Sequence, residues 1–138
     1  KLGLSQLKRF PTFLFRRREI AARYERYLAE KPYSDVFKLP PPDAGHAYHL
    51  YVIRFENGDI RNEAYEFLKK RGVASQVHYI PVYHHQYYRE KFGKVSLTGT
   101  EDFFNGCLSI PLFPRMTKEE QNTVITVLGE FCQSVDAD

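Results

Sequence analysis

Between Tyr48 and Tyr79 the chain changes its structural signals in an order that few folds can absorb. Tyr48 to Phe55 alternates, with Tyr48, Leu50 and Val52 on one side and His49, Tyr51, Ile53 and Phe55 on the other. Both sides are largely apolar, which predicts a central strand rather than an edge. Asn57-Gly58 then makes a turn, and Asp59 is placed to cap a helix over 60–70. Lys69, Lys70 and Arg71 suit the negative end of that helix, and Gly72 offers a left-handed stop. Val73 to Tyr79 resumes an extended pattern, so the helix is expected to join two strands of one sheet.

The flanks extend the same architecture. From Gly3 to about Glu30 apolar residues recur at helical spacing through Leu7, Phe10, Phe13, Leu14, Ile20, Ala21, Tyr24, Tyr27 and Leu28, predicting one long buried stripe. Pro11 should kink that helix or restart it, and Pro32 should end it. Pro40-Pro41-Pro42 reads as a stiff linker. Short helices are expected over 86–91 and 100–105, around a flexible 93–99 loop. A third strand follows at Cys107 to Ile110, closed by Pro111 and Pro114. Thr117-Lys118-Glu119-Glu120 is a capping box for a final helix to about Gln133 that buries Val124, Ile125, Val127, Leu128 and Phe131. The expected fold is a single two-layer α+β domain over residues 1–138, with a three-stranded, mostly antiparallel sheet and helices on one face. A helical pattern that starts at once, uncapped and without Met, suggests a piece of a longer protein.

Charge and composition narrow the function classes. A net charge of +3 and one basic cluster, Arg16-Arg17-Arg18 beside Glu19, point to a solvated or partner-facing helix side and away from nucleic acid. No apolar run approaches the roughly 20 residues of a membrane span, and no signal peptide opens the chain. Cys107 and Cys132 lack metal-binding spacing and read as reduced thiols, so a cytoplasmic location is expected.

Little of the usual catalytic chemistry is present. His46, His49, His78, His84 and His85 are candidate metal ligands, but His46 and His49 should point to opposite faces and no carboxylate sits at useful spacing, so no metal site is expected. There is no Gly-x-Ser-x-Gly, Cys107 has no adjacent base, and the glycines form no phosphate-cradling loop. What stands out is His78 to Tyr88, which packs seven aromatic or imidazole rings into eleven residues. Such rings have an apolar body and a polar tip. They serve either to pack the loop or to face a ligand.

Four segments together resemble one family: Leu2-Gly3-Leu4-Ser5-Gln6-Leu7, His46-Ala47-Tyr48-His49-Leu50-Tyr51-Val52-Ile53, His78 to Arg89, and Leu108-Ser109-Ile110-Pro111-Leu112-Phe113-Pro114. They look like the C-terminal small domain of the DegT/DnrJ/StrS sugar aminotransferases, fold-type I enzymes that use pyridoxal phosphate. Gln76 to Val82 is most similar to the subgroup that aminates a UDP-linked 4-keto-6-deoxy-hexosamine in the pseudaminic acid pathway. The resemblance implies a homodimeric enzyme of surface glycan biosynthesis, acting on a nucleotide sugar with an amino donor such as glutamate. It assigns sugar-facing roles to His78, Tyr79 and Tyr83, with His84 and His85 behind them. Many relatives carry His where this chain has Tyr83, and the sequence leaves Tyr83 and His84 both open for that role. The Schiff-base lysine, its acidic partner and the phosphate-binding segment all match positions upstream of Lys1, which is itself not that lysine. No catalytic or cofactor-binding residue is therefore expected within the chain, and alone it should be inactive. The competing reading is a free-standing, non-catalytic binding or regulatory domain with the same fold.

Overall fold

Thr117 and Glu120 bond reciprocally across the start of the last helix, with Thr117 N donating to Glu120 Oε2 at 2.7 Å and Glu120 N to Thr117 Oγ1 at 3.1 Å. This computed structural model describes residues 2–135, so Lys1 lies outside the described residues. The elements in order are α1 (Leu2–Leu28), α2 (Tyr33–Val36), β1 (Phe37–Lys38), β2 (Tyr51–Phe55), α3 (Gly58–Lys70), α4 (Gln86–Phe92), α5 (Thr98–Gly106), β3 (Cys107–Ile110) and α6 (Lys118–Val135).

The sheet is antiparallel in the order β1-β2-β3. Ile53 stands opposite Leu108 and Tyr51 opposite Ile110, so these side chains share one face with Phe55. That face is buried with Ile20, Tyr24 and Leu28 of α1, Ala64 and Leu68 of α3, and Val124, Leu128 and Phe131 of α6 in one apolar cluster. Fully burying an aliphatic or aromatic side chain is worth about 1.5–3 kcal/mol, which makes this face the main source of stability. The central position of β2 agrees with its pattern, although Val52 is only half-buried and Arg54 is exposed. On that second face the Arg54 guanidinium stands 5.5 Å from the Phe103 ring of α5, so the helices do not keep to one side.

Several expectations change. The 73–79 segment is not a strand: it makes one bridge, with Gln76 N and Ser109 N each donating to the other's carbonyl at 3.0 and 2.8 Å. Val73 and Ser75 are buried and Ala74 is exposed, so the alternation reports an extended chain correctly. Ladder pairing depends on the neighbour, and beyond Gln76 the contact with β3 passes to side chains. The third strand is instead β1, two residues long and too short to show a period. Asn57, not Asp59, caps α3, because its Oδ1 accepts from the Asp59 and Ile60 amides at 3.0 and 3.1 Å. Gly72 stops α3 as expected at φ +75°, with Gly72 N and Val73 N donating back to Lys69 O and Leu68 O.

α1 runs unbroken through Pro11. The turn before it is exposed, so water can reach the Leu7 carbonyl that loses its amide donor there. The apolar stripe is buried only from Ile20 onward. Leu7 is 65% exposed and Phe10 52%, since the core does not reach the first half of the helix, and Tyr27 in the second half is 46% exposed. The arginine cluster also works differently from a solvated face. Arg17 Nη1 donates to the Tyr48, His49 and Leu112 carbonyls at 2.8, 3.1 and 3.2 Å, and Arg18 Nε donates to His46 O at 3.2 Å. These cations tie the irregular 46–49 and 111–113 segments to α1. No helix among the described residues is long and apolar enough to cross a membrane.

Candidate functional site

The second face of the sheet positions the ring-rich segment. Because strand side chains alternate, Ser109 lies opposite to Leu108 and Ile110, under the 76–78 segment. His78 Nδ1 meets Ser109 Oγ at 2.8 Å and its Nε2 meets Gln76 Oε1 at 2.8 Å, so both nitrogens are engaged within the chain. Tyr79 follows with 72% exposure and packs its ring on His78 at 4.6 Å. Buried Pro81 then starts a 3₁₀ turn over Val82–His84, closed by His84 N donating to Pro81 O at 2.8 Å. The turn feeds α4, which stops at Gly93 with φ +74°.

α5 brings a carboxylate back to this turn. Glu101 Oε1 accepts from His84 Nε2 at 2.8 Å, and the Tyr83 ring packs edge-on against His84 at 4.9 Å. The Tyr83 hydroxyl is sheltered from solvent beside Glu101. Burial, and then the Glu101 carboxylate, raise the phenol's pKa, so Tyr83 stays a neutral donor. The Tyr83 hydroxyl and then the His84 imidazole hold the Glu101 carboxyl below the usual carboxylate range, against the opposing effect of burial. A cleft of about 390 Å³ opens here, lined by Tyr83, His84, Arg89, Lys94 and Glu101 among others.

The structure thus gathers Tyr83 and His84 in one cleft, places His78 and Tyr79 beside it on the sheet face, and leaves His85 exposed. Sequence reasoning missed Glu101, Ser109 and Gln76. Ser109 had a readable signal as the polar position in an otherwise apolar strand, whereas nothing local in the sequence marks Glu101 as the partner of a residue seventeen positions earlier. Among the described residues no three His, Cys, Asp or Glu side chains converge to hold a metal ion. Cys107 donates weakly to His78 O and Phe104 O at 3.7 and 3.6 Å, and burial pushes its thiol up, away from nucleophilic thiolate. Every described lysine is exposed, so the residues present do not form an enclosed site for an aldehyde cofactor.

Residues 1–129 match the DegT/DnrJ/EryC1/StrS aminotransferase family. Three solved structures illustrate the likeness. The aminotransferase TlmJ from Streptoalloteichus hindustanus is 32% identical with a TM-score of 0.86, over 96% of this chain and 35% of that one. Helicobacter pylori PseC, an aminotransferase involved in the biosynthesis of pseudoaminic acid, is 31% identical with a TM-score of 0.86, over 96% and 36%. NtdA from Bacillus subtilis, with bound cofactor PMP, is 26% identical with a TM-score of 0.78, over 88% and 28%. The chain therefore spans about 35% of the length of the first two.

Proposed function

Since the chain belongs to the DegT/DnrJ/EryC1/StrS aminotransferase family, we propose that it is the C-terminal small domain of a longer enzyme that transfers an amino group to a 4-keto nucleotide sugar. The substrate class is a UDP-linked 4-keto-6-deoxy-hexosamine, the donor an amino acid such as glutamate, and the setting surface glycan biosynthesis. The likeness to an aminotransferase of pseudoaminic acid biosynthesis over 96% of this chain supports that substrate class. Pyridoxal phosphate supplies the amino-carrying chemistry in such an enzyme, and the relative with bound PMP supports its use here. The described residues of this chain do not fit the group, so its lysine and phosphate contacts are assigned to the large domain, and the intact enzyme to a homodimer.

The observation that carries this reading is the cleft that Tyr83, His84 and Glu101 share, in a chain matched to the family over residues 1–129. The role of this chain is then to close and shape the sugar site. Tyr83 keeps its hydroxyl neutral and out of solvent beside Glu101. His78, locked at both nitrogens, fixes the wall from which Tyr79 projects. None of these groups performs the proton transfer at the reacting carbon; they bind and orient.

The test uses the longer reading frame that contains this chain, supplied with pyridoxal phosphate, glutamate and the UDP-linked 4-keto sugar. Amination of the sugar is expected. Tyr83→Phe should lower kcat/KM by roughly two- to a hundredfold with little change in melting temperature, and His78→Ala should do worse. A destabilised Tyr83→Phe enzyme with normal kcat/KM would mean that the rings only pack the loop.

A further inference from the structure

The two imidazoles that this segment turns inward differ in what their nitrogens have left to offer. Both nitrogens of His78 are engaged, by Ser109 and Gln76. His84 uses only Nε2, on Glu101 Oε1 at 2.8 Å. A carboxylate can only accept, so the proton between them belongs to Nε2, and neutral His84 keeps a lone pair on Nδ1. No described group donates to that nitrogen. The side chains of His84 and Glu101 are 28% and 25% exposed, sheltered enough to hold one geometry and open enough to meet a ligand. Tyr83 and Phe104 flank the imidazole edge-on at 4.9 and 6.3 Å, which sets its plane and leaves the tautomer to Glu101. Arg89 and Lys94 also line the cleft and form no ion pair among the described residues, which places two cations in the same lining as Glu101.

We infer that Glu101 is a positioning residue of this site: it fixes His84 as the Nε2–H imidazole, so that Nδ1 accepts a hydrogen bond from a hydroxyl of the sugar substrate. Its ligand rests on the functional reading above, while the Glu101–His84 arrangement stands without it. His84 rather than His78 is then the imidazole that reads the sugar. Glu101 is what makes that ring usable as an acceptor.

Two measurements decide this. Nitrogen-15 NMR of the imidazoles, recorded at alkaline pH, should show His84 in the Nε2–H form. Glu101→Ala should give a mixture of tautomers, and Glu101→Gln, which keeps an acceptor oxygen, should restore the single form. In the longer enzyme, with the UDP-linked 4-keto-6-deoxy-hexosamine as probe, Glu101→Ala should raise KM roughly tenfold while kcat falls less, and Glu101→Gln should stay within roughly threefold. An Nδ1–H or mixed His84 in an active wild-type enzyme would overturn the inference, as would Glu101→Ala with KM unchanged. A wild-type enzyme that aminates no such sugar, yet keeps His84 in the Nε2–H form, would count against the functional reading and uphold the Glu101–His84 arrangement.

Discussion

Gly106, the last residue of α5, stands so close to β2 that a single methyl group tests the whole placement of that helix. A Cβ built there would lie 2.3 Å from Phe55 O and 3.3 Å from its carbonyl carbon. Non-bonded carbon atoms sit at about 3.5–4.0 Å, so the helix and strand would have to separate by roughly 1 Å. Phe55 cannot yield alone, because it is paired with Phe37 in the sheet and its side chain is buried against Phe131. Overpacking of this kind costs about 1–3 kcal/mol. Gly106 is not in the left-handed region, so alanine adds no backbone strain. Replacing a helical glycine would ordinarily gain about 0.5–1 kcal/mol. The clash is the larger effect, and Gly106→Ala should destabilise by roughly 1–2 kcal/mol, a fall of about 3–8 °C in Tm. Gly99→Ala in the same helix meets nothing within 4 Å and should be neutral or slightly stabilising. Denaturant melts and thermal scans of both variants are the assay. Gly106→Ala as stable as Gly99→Ala would refute the packing of α5 on β2, and with it the route by which Glu101 reaches His84.

Other outcomes follow from the same structure. Leu128→Ala, at a fully buried position of α6, should cost about 2–5 kcal/mol, against about 1 kcal/mol for Thr117→Ala through loss of the cap; denaturant midpoints should keep that order. Because the Glu101 carboxyl is held below its ordinary 4.5, its contribution to stability is complete above that pH and is lost as pH falls through the lowered value. Glu101→Gln should therefore show a shallower acid limb below about pH 4.5 than wild type, read by melts across the acid range. The 138-residue chain mixed with pyridoxal phosphate should give no cofactor band fixed by borohydride, and a reduced adduct on one specific lysine would overturn that expectation.

The local grammar of the chain settled the elements whose signals are short-range. Thr117 and Glu120 are three residues apart, and their reciprocal bonds need nothing but the helix they start. Gly72 is likewise self-sufficient, since a left-handed stop is a property of one residue and its neighbours. The apolar spacing of α6 fixed its buried stripe for the same reason. Where a long-range partner decides, the sequence had no means of saying so. The alternation of Val73 to Val77 shows an extended chain with a buried side, yet only β3 determined that Gln76 alone would pair. The first half of α1 carries the same apolar spacing as the second, but the core reaches only to Ile20. Arg17 looked like surface charge until three carbonyls from two distant segments converged on it. In the site, the rings of His78 to Tyr88 were legible as a group, because residue type alone marks them. Which imidazole keeps a free nitrogen was decided by Ser109, Gln76 and Glu101, two of them more than fifteen positions away, since a hydrogen bond depends on a proximity that only folding creates.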